Sequence, residues 1–345
     1  MKRTILYLCL LPLLFSCSGR TGISHEGNCA YARYFDLQDD KIIIISPYDA
    51  CRDTFEVAVP LNRIACLSTS HIACLDAVGR SDAVCAVSGA AYISNDRVRS
   101  SAADIRGDGT LDYERLLASD PELLVTFTVS SFEPPYIAKL RSLGIPVLVI
   151  HDHLEDHPLA RAEYIRLFGA LTGKRAEADS VFAAVAAGYE RLAAEVSESA
   201  AGTAAVLMNI PFGDQWYVPG ADGYMSRLIS DAGGEVLGAQ PGSASSVISV
   251  EKAYELSQKA DFWFHTGYCS TMEQLEGAHP LFSDFPVAVR GRVWNNTARL
   301  TPGGGNDFWE SGVTHPDIVL RDIVSILHPE VTGTADSLHY YIEVE

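Results

Sequence analysis

Of the signatures that announce an activity, this 345-residue chain has almost none. It lacks a G-x-S-x-G elbow and an H-E-x-x-H helix, so the usual sequence grounds for a serine hydrolase or a zinc protease are missing. Its eight cysteines include no C-x-x-C pair, which leaves a zinc knuckle or a thioredoxin-type dithiol without support. Gly303-Gly304-Gly305 lacks the spaced lysine and hydroxyl of a phosphate loop and reads as a flexible turn. Basic residues are scarce, 26 against 44 acids for a net charge of -18. That balance argues against nucleic acid or an anionic membrane surface as partner. Beyond the N-terminus no apolar run is long enough to span a bilayer.

The N-terminus is a targeting segment. Lys2 and Arg3 precede an apolar run from Ile5 to Phe15, too short for a stable spanning helix. Leu14-Phe15-Ser16-Cys17 has the form of a lipobox, a small residue before a cysteine whose thiol takes lipid. An ordinary signal peptide is the competing reading. The expectation is a signal peptide over 1–16, lipidation at Cys17 and a polar tether over 17–40. The protein would then be exported, periplasmic, and held to a bacterial membrane only through Cys17. Cys66 and Cys85 sit in apolar strand-like runs and Cys74 on an apolar helix face, so small buried thiols are expected there.

Strand and helix patterns place the fold in the α/β class. A hairpin is expected over 41–62. From Arg63 the pattern alternates strand, helix and strand within some twenty-five residues, as a parallel sheet requires. This first lobe would run over 63–172. Ala178, Val181, Phe182, Val185, Tyr189, Leu192 and Val196 then keep helical spacing, predicting one long helix over 174–199. A second set of strands and helices fills 203–329, and 330–345 reads as a tail.

The two halves share a repeated unit. Leu111 begins LDYERLLASDPELLVTF and Ile248 begins ISVEKAYELSQKADFWF. Each has a cap-type residue (Asp112, Ser249), a glutamate two positions on (Glu114, Glu251), a short helix, and then an apolar strand. Acids are favoured in a first helical turn by its exposed N–H groups and dipole. A pair at equivalent places also suits one partner gripping both lobes.

Several pieces in shared order resemble the class III periplasmic binding proteins, the iron-complex and cobalamin-binding family of ATP-driven importers. They are Arg63-Ile-Ala-Cys-Leu-Ser68, Asp112-Tyr-Glu114, Asp120-Pro-Glu-Leu-Leu-Val125, Leu143-Gly-Ile-Pro-Val147, Leu167-Phe-Gly-Ala-Leu-Thr-Gly173, Gly305-Asn-Asp-Phe-Trp-Glu310 and His328-Pro329. The resemblance implies two α/β lobes, each around a parallel sheet flanked by helices, joined by one long α-helix with the ligand between them. It implies a protein that is not an enzyme and has no intrinsic cofactor. The protein would capture an iron chelate (siderophore or heme) or a corrinoid and deliver it to an ABC permease and its ATPase. Glu114 and Glu251 fall where the family's permease-docking glutamates stand. Ser68-Thr-Ser-His-Ile-Ala73 departs from the family's Ser-Pro-x-x-Thr-Glu run, which puts the inherited ligand in doubt.

Sites in such sheets lie beyond the C-terminal strand ends. The expected ligand-binding residues are Ser70, His71, Tyr92 and Thr128 in the first lobe, and Trp216, Tyr217, Tyr268, Asn306 and Trp309 in the second. Flat aromatic faces suit a large conjugated guest, although core packing is the alternative for each ring. His71 could ligate iron or pair with an anion, or simply be hydrogen-bonded within the fold. No metal site is expected from His151, His153 and His157, because the second lobe offers no matching set. Two other functions stay open: a secreted enzyme, and a permease-independent heme-scavenging lipoprotein, each on the same two-lobed fold.

Overall fold

The computed structural model describes residues 28–38, 41–56, 60–107, 110–199, 202–333 and 338–345. The expected signal peptide and Cys17 lie outside the described residues. The chain enters through a three-stranded antiparallel sheet of β1 (Phe35–Gln38), β2 (Lys41–Ile45) and β3 (Arg52–Glu56). The expected tether is therefore corrected from Asn28 onward. Cys29, Ala32, Phe35 and Leu37 are buried in the first-lobe core. Two buried carboxylates hold this strap by its backbone. Glu163 accepts from the N–H groups of Ala30, Tyr31 and Ala32, all at 2.8 Å. Glu155 Oε1 accepts from Arg33 and Tyr34 at 2.8 and 3.0 Å.

The first lobe contains β4 (Ile64–Cys66), β5 (Val84–Val87), β6 (Ala103–Asp104), β7 (Leu123–Phe127) and β8 (Val147–Ile150). They form a parallel sheet in the order β6-β5-β4-β7-β8. Around it lie α1 (Thr69–Ala77), α2 (Asp96–Ser101), α3 (Tyr113–Ala118), α4 (Pro135–Ser142), α5 (Pro158–Ala162) and α6 (Tyr164–Leu171). The central strands are buried along nearly their whole length and apolar except for Thr126, as in a sheet covered by helices on both faces. Gly79 and Gly144 take positive φ just past α1 and α4, a backbone conformation that ends a helix at little cost only for glycine.

The long helix is α7 (Arg175–Glu198), about 36 Å at 1.5 Å per residue. Its Ala178, Phe182, Val185, Ala186, Tyr189, Leu192 and Val196 are buried along one stripe.

The second lobe uses β9 (Ala204–Met208), β10 (Trp216–Val218), β11 (Gly234–Val236), β12 (Ser246–Ile248), β13 (Phe262–Phe264), β14 (Val293–Asn295) and β15 (Ile342–Glu343). Its sheet order is β11-β9-β13-β14-β15, parallel except for β15. The helices are α8 (Tyr224–Asp231), α9 (Val250–Ser257), α10 (Met272–Ala278), α11 (Pro286–Val289), α12 (Ser311–Thr314), α13 (Pro316–Leu327) and α14 (Pro329–Thr332). The expected C-terminal tail is corrected as well. Tyr340 and Tyr341 are buried in the core, and β15 pairs with β14.

Candidate functional site

In each sheet the strand order reverses beside its first strand, between β4 and β7 and between β9 and β13. Ligand crevices form beyond the C-terminal ends at such points. Asn209 and His265, the residues that follow β9 and β13 by one position, both take positive φ (67° and 64°). Non-glycine residues held in that region carry backbone strain, which concentrates at functional sites. The His265 ring is buried, its Nε2 is 2.8 Å from the Tyr341 hydroxyl, and it packs edge-on to Phe308 and Trp309. Burial pushes its pKa down to about 3, so the imidazole is neutral at physiological pH. Neither residue was expected at the site from sequence.

On the first-lobe side, a cavity of about 1010 Å³ opens beyond β4, β5 and β7. Leu67, Phe127, Val129, Pro134 and Tyr136 give it apolar walls, and Arg106 and Lys139 supply cations. Of the expected residues, Thr128 lines it. The Tyr136 hydroxyl is tied to Thr126 Oγ1 at 2.7 Å, which orients that ring. Large apolar side chains stand exposed on the loops after the switch strands: Val129 and Phe132 after β7, Phe212 after β9, and Tyr268 after β13. Phe132 could have been found from its setting, an aromatic in the polar, proline-bounded stretch Ser130-Ser131-Phe132-Glu133-Pro134.

The other expected residues divide into two groups. Tyr92 and Tyr268 come together at the loop 301–305. The Tyr268 hydroxyl is 3.5 Å from Gly304 O, and the Tyr92 backbone touches Gly305. The Tyr92 ring lies under the Arg106 guanidinium, 5.1 Å away. Trp309 is partly exposed beside Tyr224 and His265, and Asn306 caps its turn by accepting from Phe308 N. Tyr217 is half-exposed and hydrogen-bonded to Gln215. Trp216, Ser70 and His71 are corrected. Trp216 is 1% exposed, stacked on Trp263 and Phe285 with Phe282 at its edge, so it is core. His71 is 1% exposed, packed on Phe168, with Nε2 3.6 Å from Asp152 Oδ1. Ser70 Oγ donates to Asp152 Oδ2 at 2.7 Å. Burial pushes the Asp152 pKa up, but His71 and Ser70 outweigh that and hold it well below the usual carboxylate range. These two residues therefore brace the turn after β8 and do not face a guest. Among the described residues, no group of three or more His, Cys, Asp or Glu side chains is arranged to hold a metal ion.

Glu114 and Glu251 are both exposed, each at the second position of its helix. The capping bonds come from their neighbours. Asp112 accepts from Arg115 N at 2.9 Å, and Ser249 Oγ accepts from Lys252 N at 3.2 Å. A crossover helix runs opposite to the parallel strands it serves, so its N-terminus lies at their C-terminal end. α3 and α9 lead into β7 and β13, so both glutamates sit at the crevice end of their lobes. Glu251 also accepts from Ser249, which lowers its pKa and keeps it ionised.

Comparison with known proteins agrees with this geometry. An uncharacterized lipoprotein of Methanocaldococcus jannaschii is 24% identical over 299 residues, spanning 81% of this chain and 68% of the relative. The molybdate periplasmic binding protein of Haemophilus influenzae, solved with molybdate bound, superposes with a TM-score of 0.63 at 15% identity, covering 85% of this chain and 93% of the other. A periplasmic heme-binding protein from Pseudomonas aeruginosa superposes at 0.59 with 18% identity, covering 78% and 93%. The periplasmic binding protein family model matches residues 64–294, the span that holds the first-lobe sheet, the long helix, the second-lobe strands from β9 to β13 with most of β14, and both exposed glutamates. The chain therefore belongs to the periplasmic binding proteins, with the class III architecture of two α/β lobes on one long helix.

Proposed function

We infer that the protein captures a metal complex, an iron chelate such as a siderophore or heme, or a corrinoid, at the crevice end of its lobes and delivers it to an ABC permease and its ATPase. The apolar cavity beyond β4 and β7, with Arg106 and Lys139 at hand and exposed aromatics on the surrounding loops, carries this reading. Such a wall suits a large, partly apolar guest bearing negative charge. Glu114 and Glu251 present one carboxylate per lobe to permease arginines, and a lipid on Cys17 keeps the receptor at the membrane. The capping bonds made by Asp112 and Ser249 leave the two glutamates available for docking.

Incubation with heme, cobalamin and ferric siderophores, followed by visible spectroscopy, identifies the guest. Glu114→Ala/Glu251→Ala should keep ligand affinity and lose transporter-dependent uptake. Equal loss of binding and uptake contradicts the docking role.

A further inference from the structure

One place where the two lobes meet is where the loop after β5 faces the loop after β14, and there the backbones approach closely. Thr301 Oγ1 donates to Ala91 O at 2.8 Å. A Cβ at Gly305 would stand 1.8 Å from Tyr92 O, and one at Gly303 2.4 Å from Ala91 O. Beside this seam lies Glu310, 3% exposed. Its Oε2 accepts from Ser94 N at 2.8 Å and its Oε1 from Asn95 N at 3.0 Å, across 216 and 215 residues of sequence. Among the described residues no cation pairs with it. Arg99 turns its guanidinium to Asp96 and to the carbonyls of Ile93 and Ser94. Arg299 is taken by Asp307 at 2.6 Å, and Arg161, from α5, lies over the Tyr224 ring. On α13, Asp322 is occupied by the His339 and Tyr340 N–H groups, and the Tyr340 hydroxyl meets Ser311. The acids near Glu310 are Asp307 on its own turn and Asp76 on α1. Ser94 Oγ, on a residue whose N–H already meets the carboxyl, is buried and makes no hydrogen bond among the described residues.

We propose that Glu310 is a proton-operated latch between the two crevice walls, fastened when its carboxyl is neutral and loosened when it ionises. A neutral carboxyl keeps a carbonyl oxygen for the N–H groups and brings no charge into the buried seam. An ionised one is a charge buried among acids and compensated only by amide dipoles. Burial, the largest influence, raises its pKa from 4.5 to about 7, with Asp307 and Asp76 adding to the rise and the two backbone bonds opposing it. The latched state has the higher pKa and so binds the proton more tightly. Latching is complete below about 4.5 and weakens as pH rises through about 7. The span corresponds to a shift of up to roughly 300-fold in the latching equilibrium.

The test is amide hydrogen exchange of the 93–98 segment in the full mature protein between pH 4.5 and 8.5, corrected for intrinsic exchange. Protection at Ser94 and Asn95 should fall steeply through neutrality. Glu310→Gln should flatten the profile, whereas Thr301→Val, which removes the neighbouring bond, should keep the step. Protection that is constant or rises with pH in the unmodified protein overturns the latch, whether or not Glu310→Gln folds. The same fall in a folded Glu310→Gln protein also overturns it.

Discussion

Replacing Glu163 by alanine should release the N-terminal strap. The carboxylate is completely buried, takes three backbone N–H bonds at 2.8 Å and pairs with Arg166 at 2.9 Å. Each bond to a charged acceptor contributes about 1.5–3 kcal/mol. These bonds are not additive, and the amides of Ala30 and Tyr31 can recover water. Breaking a buried ionic network of this kind costs about 3–5 kcal/mol in measured cases. Cys29, Ala32, Phe35 and Leu37 belong to the first-lobe core, so the loss should appear in global unfolding. Urea denaturation of Glu163→Ala should show the unfolding free energy falling by that amount, with a correspondingly lower midpoint, and brief proteolysis should cut first within 28–38. Glu163→Gln keeps one good acceptor oxygen, turns an NH2 toward the remaining N–H groups, and should lose about half as much. A loss below about 1 kcal/mol in Glu163→Ala, with the strap still protected, would refute the assignment of this carboxylate as the clamp.

Trp216→Ala should cost about 3–5 kcal/mol by emptying the stack on Trp263 and Phe285; an unchanged melting temperature with weaker ligand binding would put Trp216 back at the site. Burial raises the Glu155 pKa to about 7, so its share of stability is full below about 4.5 and lost as pH rises through 7; Glu155→Gln should flatten that limb of a Tm-against-pH profile. His265, lowered by burial, acts in the opposite sense: its contribution is complete above 6.5 and disappears as pH falls toward 3, and His265→Gln should shrink that acid limb. Trp309→Ala and Tyr268→Ala should weaken capture of the spectroscopically identified guest while leaving the urea midpoint within about 0.5 kcal/mol, since both rings are substantially exposed.

Long periodic elements were legible in the sequence because one residue pattern covers many turns. α7 and α13 begin and end where their apolar spacing does, and β7 coincides with its apolar run. Short elements set by distant partners were not. Trp216 looks like a loop aromatic after β9, yet it lies in a three-residue strand whose partner, Ser246–Ile248, is thirty residues away. No periodicity can signal three residues, and the rings that bury it come from β13 and the 282–285 segment. His71 was placed at the crevice by its position after β4. Phe168, almost a hundred residues later, lies against it. The repeated Asp112/Glu114 and Ser249/Glu251 units were readable because cap and acid are local chemistry. The carboxylates at 155, 163 and 310 carried no signal, since each is defined by amides far away in the chain.

The final strand has a consequence for biogenesis. β15 and the two tyrosines before it close the open flank of β14, pack beside Phe264 and Phe308, and tie Glu345 O to Met272 N. A chain that emerges N-terminus first would present β9, β13 and β14 well before these residues arrive. Until then the second lobe would hold an unsealed rim and bare aromatic faces, a sticky nascent form. Residues 340–345 thus decide when that half of the molecule becomes safe from association with its neighbours.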